Sequence, residues 1–169
     1  MPLIGVSIAI PEPCGPELQD YRVSLGEDGA RQIPTHLTLV PPTEIAADDV
    51  TKVISHLEYA AAEHQRFGIH LRGTGTFRPV SPVVFVGVVQ GISECELLAK
   101  SMRTGPLDLS MDFPYHPHVT IAHHLPEEIL DRAFDEFADF DCEFDVSKFW
   151  LYRYDEQPGW VPTRAFALR

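Results

Sequence analysis

A chain of 169 residues is long enough for one domain with a core of its own. Its 44% hydrophobic and 22% charged composition, with no apolar run long enough to span a bilayer, excludes the disordered, collagen-like and membrane classes. With 25 acidic against 13 basic residues the formal net charge is -12, so no long nucleic acid is expected as a partner, although a small phosphorylated ligand in a locally basic cleft is compatible.

The opening "MPLIGVSIAIPEP" lacks the basic region and cleavage site of a signal peptide and reads as a strand, GVSIAI, stopped by Pro-Glu-Pro; a cytoplasmic location is expected. Glu17 to Leu25 suits a short helix, and THLTLV a strand ended by Pro41 and Pro42. In DDVTKVISHLEYAAAEHQ the apolar residues Val50, Val53, Ile54, Leu57, Ala60 and Ala61 recur at helical spacing behind Asp48 and Asp49. FGIHLRGTGTF alternates as a strand, VVFVGVV is a β-branched run, SECELLAKSMR is helical and HVTIA is again a strand. PEEILDRAFDEFADF opens a helix on Pro126. EFDVSKFWLYRY and RAFAL close the chain as two strands around a Pro and Gly turn.

This order is written twice, over about residues 5–77 and again over about 83–168, which predicts a duplicated frame within one domain. Phe67 after the first long helix and Phe144 after the second take matching places in it. Cys14, Cys95 and Cys142 are odd in number, widely spaced and without a CxxC pair, so they are expected to be reduced and mostly in the core.

Each half carries one tetrapeptide of the form His, aliphatic, Thr, aliphatic: HLTL at His36 to Leu39 and HVTI at His118 to Ile121, 82 positions apart. On a strand His36 and Thr38 share one face while Leu37 and Leu39 share the other, and His118 and Thr120 oppose Val119 and Ile121 in the same way. At average composition a His is followed by this pattern in roughly one case in twenty-five. Two occurrences at matching places of a repeated frame are therefore a signal and not chance.

Paired H-x-T-hydrophobic motifs, one per half, resemble those of the two-histidine phosphoesterase superfamily, which includes the 2′-5′ RNA ligase-like proteins and cyclic nucleotide phosphodiesterases. The resemblance covers nearly the whole chain. It implies an α+β fold, a bilobal pseudo-symmetric duplication with two antiparallel sheets lining a central groove and helices packed outside. It also implies His36 and His118 as catalytic residues and Thr38 and Thr120 as phosphate-binding residues. Similar proteins often carry a basic residue shortly after the second motif; here the chain reads Ala122, His123, His124.

Phosphodiester cleavage needs one group to take a proton from the nucleophile and one to give a proton to the leaving oxygen, and His serves both near neutral pH. Each Thr hydroxyl can donate to a non-bridging oxygen. The expected reaction is metal-independent hydrolysis of a nucleoside 2′,3′-cyclic phosphate or a related small cyclic phosphodiester. Ligation is the same transfer in reverse, with a ribose hydroxyl as nucleophile. Partners are then a small phosphorylated nucleotide or RNA terminus, with no cofactor and no membrane; the oligomeric state is open, with a monomer favoured. The competing reading is a non-catalytic domain that binds a phosphorylated ligand or an interaction partner and keeps the groove.

Other candidates are less constrained. His116, His124 and Tyr115 are placed in the possible groove. His116, His118 and His124 on one face would suit zinc or copper, but no carboxylate or thiolate stands at ligand spacing, and no metal is expected. Tyr115, Phe77 and Trp160 are candidates to stack on a base, although aromatic residues more often fill a core or rim. Arg78, Arg153 and Arg164 sit near strand ends or turns, where a phosphate contact is open to them.

Overall fold

The computed structural model describes residues 1–108 and 114–169. Its strands are β1 (Leu3–Ala9), β2 (His36–Glu44), β3 (Phe67–Thr76), β4 (Val83–Gln90), β5 (His118–His123), β6 (Asp141–Val146), β7 (Lys148–Asp155) and β8 (Gly159–Ala167). Its helices are α1 (Cys14–Ser24), α2 (Val50–Glu63), α3 (Ile92–Met102) and α4 (Glu127–Glu136). The strands form two four-stranded antiparallel sheets, ordered β2-β1-β7-β8 and β5-β4-β3-β6. This is the expected α+β architecture, and the two motif strands are edge strands of opposite sheets that contact each other.

Alternation along the strands sorts the motif residues as expected. Leu37, Leu39, Val119 and Ile121 are fully buried, while His36, Thr38, His118 and Thr120 keep partial exposure on the other face. The aliphatics join a continuous core closed from outside by the apolar stripes of the helices, such as Val53, Leu57, Ala60 and Ala61 of α2 and Leu98 and Met102 of α3. Helices α2 and α3 pack on the first sheet, whereas α1 and α4 pack on the second. The chain therefore crosses from β1 in one sheet to a helix lying over the other, and back to β2.

Several expectations need correction. Strand β2 is not ended by Pro41 and Pro42 but runs through them to Glu44. It is an edge strand whose register with β1 shifts beside these residues, from Ile4↔Thr43 to Val6↔Val40, so the missing proline N–H groups break no continuous ladder. Helix α1 begins at Cys14, earlier than Glu17, because Pro16 lies in the first turn, where an N–H has no intrahelical partner anyway. EFDVSKFWLYRY is two strands: it breaks at Ser147, β6 pairing with β3 in one sheet and β7 with β1 in the other. Phe67 and Phe144 consequently sit on neighbouring strands of one sheet rather than in matching places of two.

The cysteines depart most from expectation. Cys14 and Cys142 are joined in a disulfide, and only Cys95 is free and buried. The 128-residue separation hides the pair in the sequence, and it is the packing of α1 on the second sheet that brings Cys14 to β6.

Candidate active site

The facing edges of the two sheets enclose a cavity of about 340 Å³. His36 and Thr38 of β2, His118 and Thr120 of β5, His123, Ser7 and Arg22 supply its polar lining, and Trp160, Tyr152, Val40, Val83 and Ile33 are among its apolar walls. Both motifs thus open on one space.

The two histidines are held in the same way. His36 Nδ1 lies 2.6 Å from the Pro34 carbonyl oxygen and His118 Nδ1 lies 2.7 Å from that of His116. A carbonyl only accepts, so each Nδ1 carries the proton and donates, which leaves each Nε2 lone pair available to the cavity. Neither the Thr38 nor the Thr120 hydroxyl hydrogen-bonds to another described residue. Two Nε2 atoms and two free hydroxyls are therefore gathered with no partner among the described residues.

Burial pushes His36 below the ordinary value of 6.5, its bond to the Pro34 carbonyl pulls it partly back, and the charge of Arg22 lowers it further. Burial pushes His118 down to about 4, against the bond to the His116 carbonyl, and His116 and His36 lower it further. The second ring lies edge-on to Phe77 and Phe85, with centroids 4.9 and 5.3 Å away. Those two rings stack on each other at 4.6 Å. Gly75 opposite Phe85 on β3 makes this possible, since a Cβ there would run into the Phe85 ring.

A family model described as the 2′-5′ RNA ligase superfamily matches residues 10–158. The chain belongs to the 2′-5′ RNA ligase superfamily. A Bacillus cytotoxicus protein that bears the name phosphoesterase is 28% identical over 140 residues, covering 80% of both chains. One from Oceanobacillus iheyensis with the same designation is 28% identical over 80% of this chain and 81% of its own. Among solved structures, TT0787 of Thermus thermophilus aligns with a TM-score of 0.73 at 24% identity, covering 100% of this chain and 98% of that one. Escherichia coli LigT complexed with 3′-AMP aligns with a TM-score of 0.69 at 20% identity over 99% of both chains. LigT has also been solved with phosphate, ATP and NADP+. At such identities the structural likeness establishes this superfamily member's fold.

The remaining candidates are distributed unevenly. His116 stands beside Phe77 and Phe85, outside the cavity lining, and its role is to offer its carbonyl to His118. His124 is exposed, with φ of 54°, and stacks on His123 at 3.7 Å; it is His123 that lines the cavity. Tyr115 is also outside the lining: its hydroxyl donates to the Thr38 carbonyl at 2.8 Å, tying the segment before β5 to the motif of β2. Of the aromatic candidates Trp160 alone lines the cavity. Arg78 pairs with Asp131 at 2.7 Å and Arg164 with Glu58, and neither of them nor Arg153 reaches the lining. The described residues contain no group of three or more His, Cys, Asp or Glu arranged to hold a metal ion.

Sequence reasoning missed Arg22, Ser7 and Tyr152 in the lining. Arg22 carried one local signal. It follows Gly15 and Leu18 at helical spacing on the buried face of α1, where an arginine is out of place unless it is used.

Proposed function

We propose that this chain is a metal-independent phosphodiesterase that hydrolyses a nucleoside 2′,3′-cyclic phosphate or a closely related small cyclic phosphodiester, with His36 and His118 as its acid and base. Membership of the superfamily supports a phosphodiesterase-type activity, and the nucleotides bound by LigT support a small phosphorylated nucleotide as ligand. The observation that carries the reading is the matched pair of imidazoles. Each is fixed as the Nδ1–H tautomer by the carbonyl two residues before it, on one cavity with two Thr hydroxyls that have no partner among the described residues.

In this reaction His118 Nε2 takes a proton from water as the water oxygen bonds to phosphorus. The bond from phosphorus to one ribose oxygen breaks, and a protonated His36 Nε2 gives its proton to that oxygen. The product is a phosphomonoester beside a free hydroxyl, and the two imidazoles exchange protonation states before the next turnover. Thr38 and Thr120 donate to the non-bridging oxygens, whose charge grows in the transition state. Trp160 and Tyr152 offer the nucleoside an apolar wall.

The experiment is turnover of a panel of 2′,3′-cyclic nucleotides by protein treated extensively with EDTA. Hydrolysis that survives the chelator and is lost in His36→Ala and His118→Ala is the expected result. Tight nucleotide binding without turnover would favour the non-catalytic reading, and activity restored only by zinc or manganese would replace the two-histidine chemistry with a metal-dependent one.

A further inference from the structure

We propose that Arg22 is the fixed cation of the phosphate site, delivered by α1 from the first half of the chain and held in place by Glu27. The inference rests on the reading of the cavity as a phosphate site. Arg22 is only 5% exposed, yet it lines the cavity together with both motifs. Its Nε donates to Glu27 Oε1 at 3.0 Å and its Nη2 to Glu27 Oε2 at 2.7 Å, a two-point grip that fixes the plane of the guanidinium. Its Nη1 edge makes no hydrogen bond among the described residues. Glu27 Oε1 also accepts the backbone N–H of His123 at 3.1 Å, which anchors the pair to the end of β5.

A buried ion pair adds little net stability compared with apolar side chains of the same volume, so its presence in a ligand cavity calls for another account. The phosphate supplies it. A phosphodiester brings a negative charge into a partly apolar space, and the second motif is followed only by imidazoles, His123 and His124. Burial lowers His36, His118 and His123 alike, which disfavours a positive charge on each of these three imidazoles. Arg22, His36 and His123 line the same cavity, and the charge of Arg22 lowers both imidazoles. The corresponding arginine at the end of α3, Arg103, is used differently: its Nε donates to the Leu39 carbonyl at 3.0 Å and it lies over the Tyr115 ring, outside the cavity lining.

The test is calorimetric binding of inorganic phosphate at pH 7.5 to wild type, Arg22→Lys and the double variant R22M/E27M, which leaves no unpaired buried charge. Loss of a charge-assisted hydrogen bond in the double variant should weaken binding roughly ten- to a hundredfold, with Arg22→Lys between the two. Residual binding to R22M/E27M should vanish as pH rises through the histidine range, whereas wild-type binding persists. If the double variant does not fold, the Cζ resonance of Arg22 in labelled wild-type protein, identified by its loss in Arg22→Lys, should move on phosphate titration. Equal affinity of wild type and R22M/E27M, an unmoved Arg22 resonance, or no phosphate binding by the wild type would overturn the proposal. Arg22-dependent phosphate binding in a protein that hydrolyses no cyclic nucleotide would uphold Arg22 and reject the hydrolase.

Discussion

On the proposed mechanism, replacing His36 or His118 by Ala removes one proton transfer and should lower kcat by about 10² to 10⁴. The double variant should lose little more than either single one, because acid and base act in one transition state. On the same proposal, Thr38→Val and Thr120→Val should each remove one hydrogen bond to a charged phosphate oxygen, worth about 1.5 to 3 kcal/mol, and should cost less than the histidine changes. Steady-state kinetics on a 2′,3′-cyclic nucleotide ranks the four variants. The pH profile follows from the depressed imidazoles. The base must be deprotonated, which a His118 at about 4 already is in mild acid. The acid must be protonated, and His36 in the free protein loses its proton below the ordinary 6.5. With His36 as the acid, the falling limb of kcat/KM should therefore lie below pH 6.5. A bound phosphodiester raises both imidazoles, so the decline in kcat should come at higher pH than that in kcat/KM; coincident limbs for the two parameters would contradict this.

At the scale of elements, the motif strands were legible because strand alternation is a local property. The four motif side chains could be assigned to faces from their own neighbours, and the structure puts them there. The burial of Arg22 could be read from its spacing with Gly15 and Leu18, but not the cavity it lines, because that depends on α1 crossing to the opposite sheet and no local pattern records the crossing. Tyr115 illustrates the same limit: its position before β5 suggests the groove, but its hydroxyl holds the backbone of Thr38 on the other sheet. Tyr115→Phe should cost about 0.5 to 1.5 kcal/mol, lowering Tm by a few degrees. It should also reduce turnover less than either His→Ala change, since it loosens the β2 motif without deleting a reacting group. An unchanged Tm would show that this tie between the strands contributes nothing.

At the scale of the whole molecule, the Cys14–Cys142 disulfide fastens α1, the helix that carries Arg22, to the second sheet. Thiol titration of the denatured protein should find one free cysteine before reduction and three after. In the folded state Cys95, whose thiol burial pushes up to about 12, should react slowly. Reduction should lower Tm, and the C14S/C142S variant should lose about 2 to 5 kcal/mol of stability. Three thiols before reduction would remove the crosslink from the account.

The most direct test of the two-histidine division of labour compares a 2′,3′-cyclic nucleotide with a phosphodiester whose leaving group is acidic enough to depart unprotonated. With His36 as acid and His118 as base, the activated substrate should restore turnover to His36→Ala and leave His118→Ala inactive. Rescue of His118→Ala instead would reverse the assignment, and full activity of both single variants on the cyclic nucleotide would contradict the mechanism.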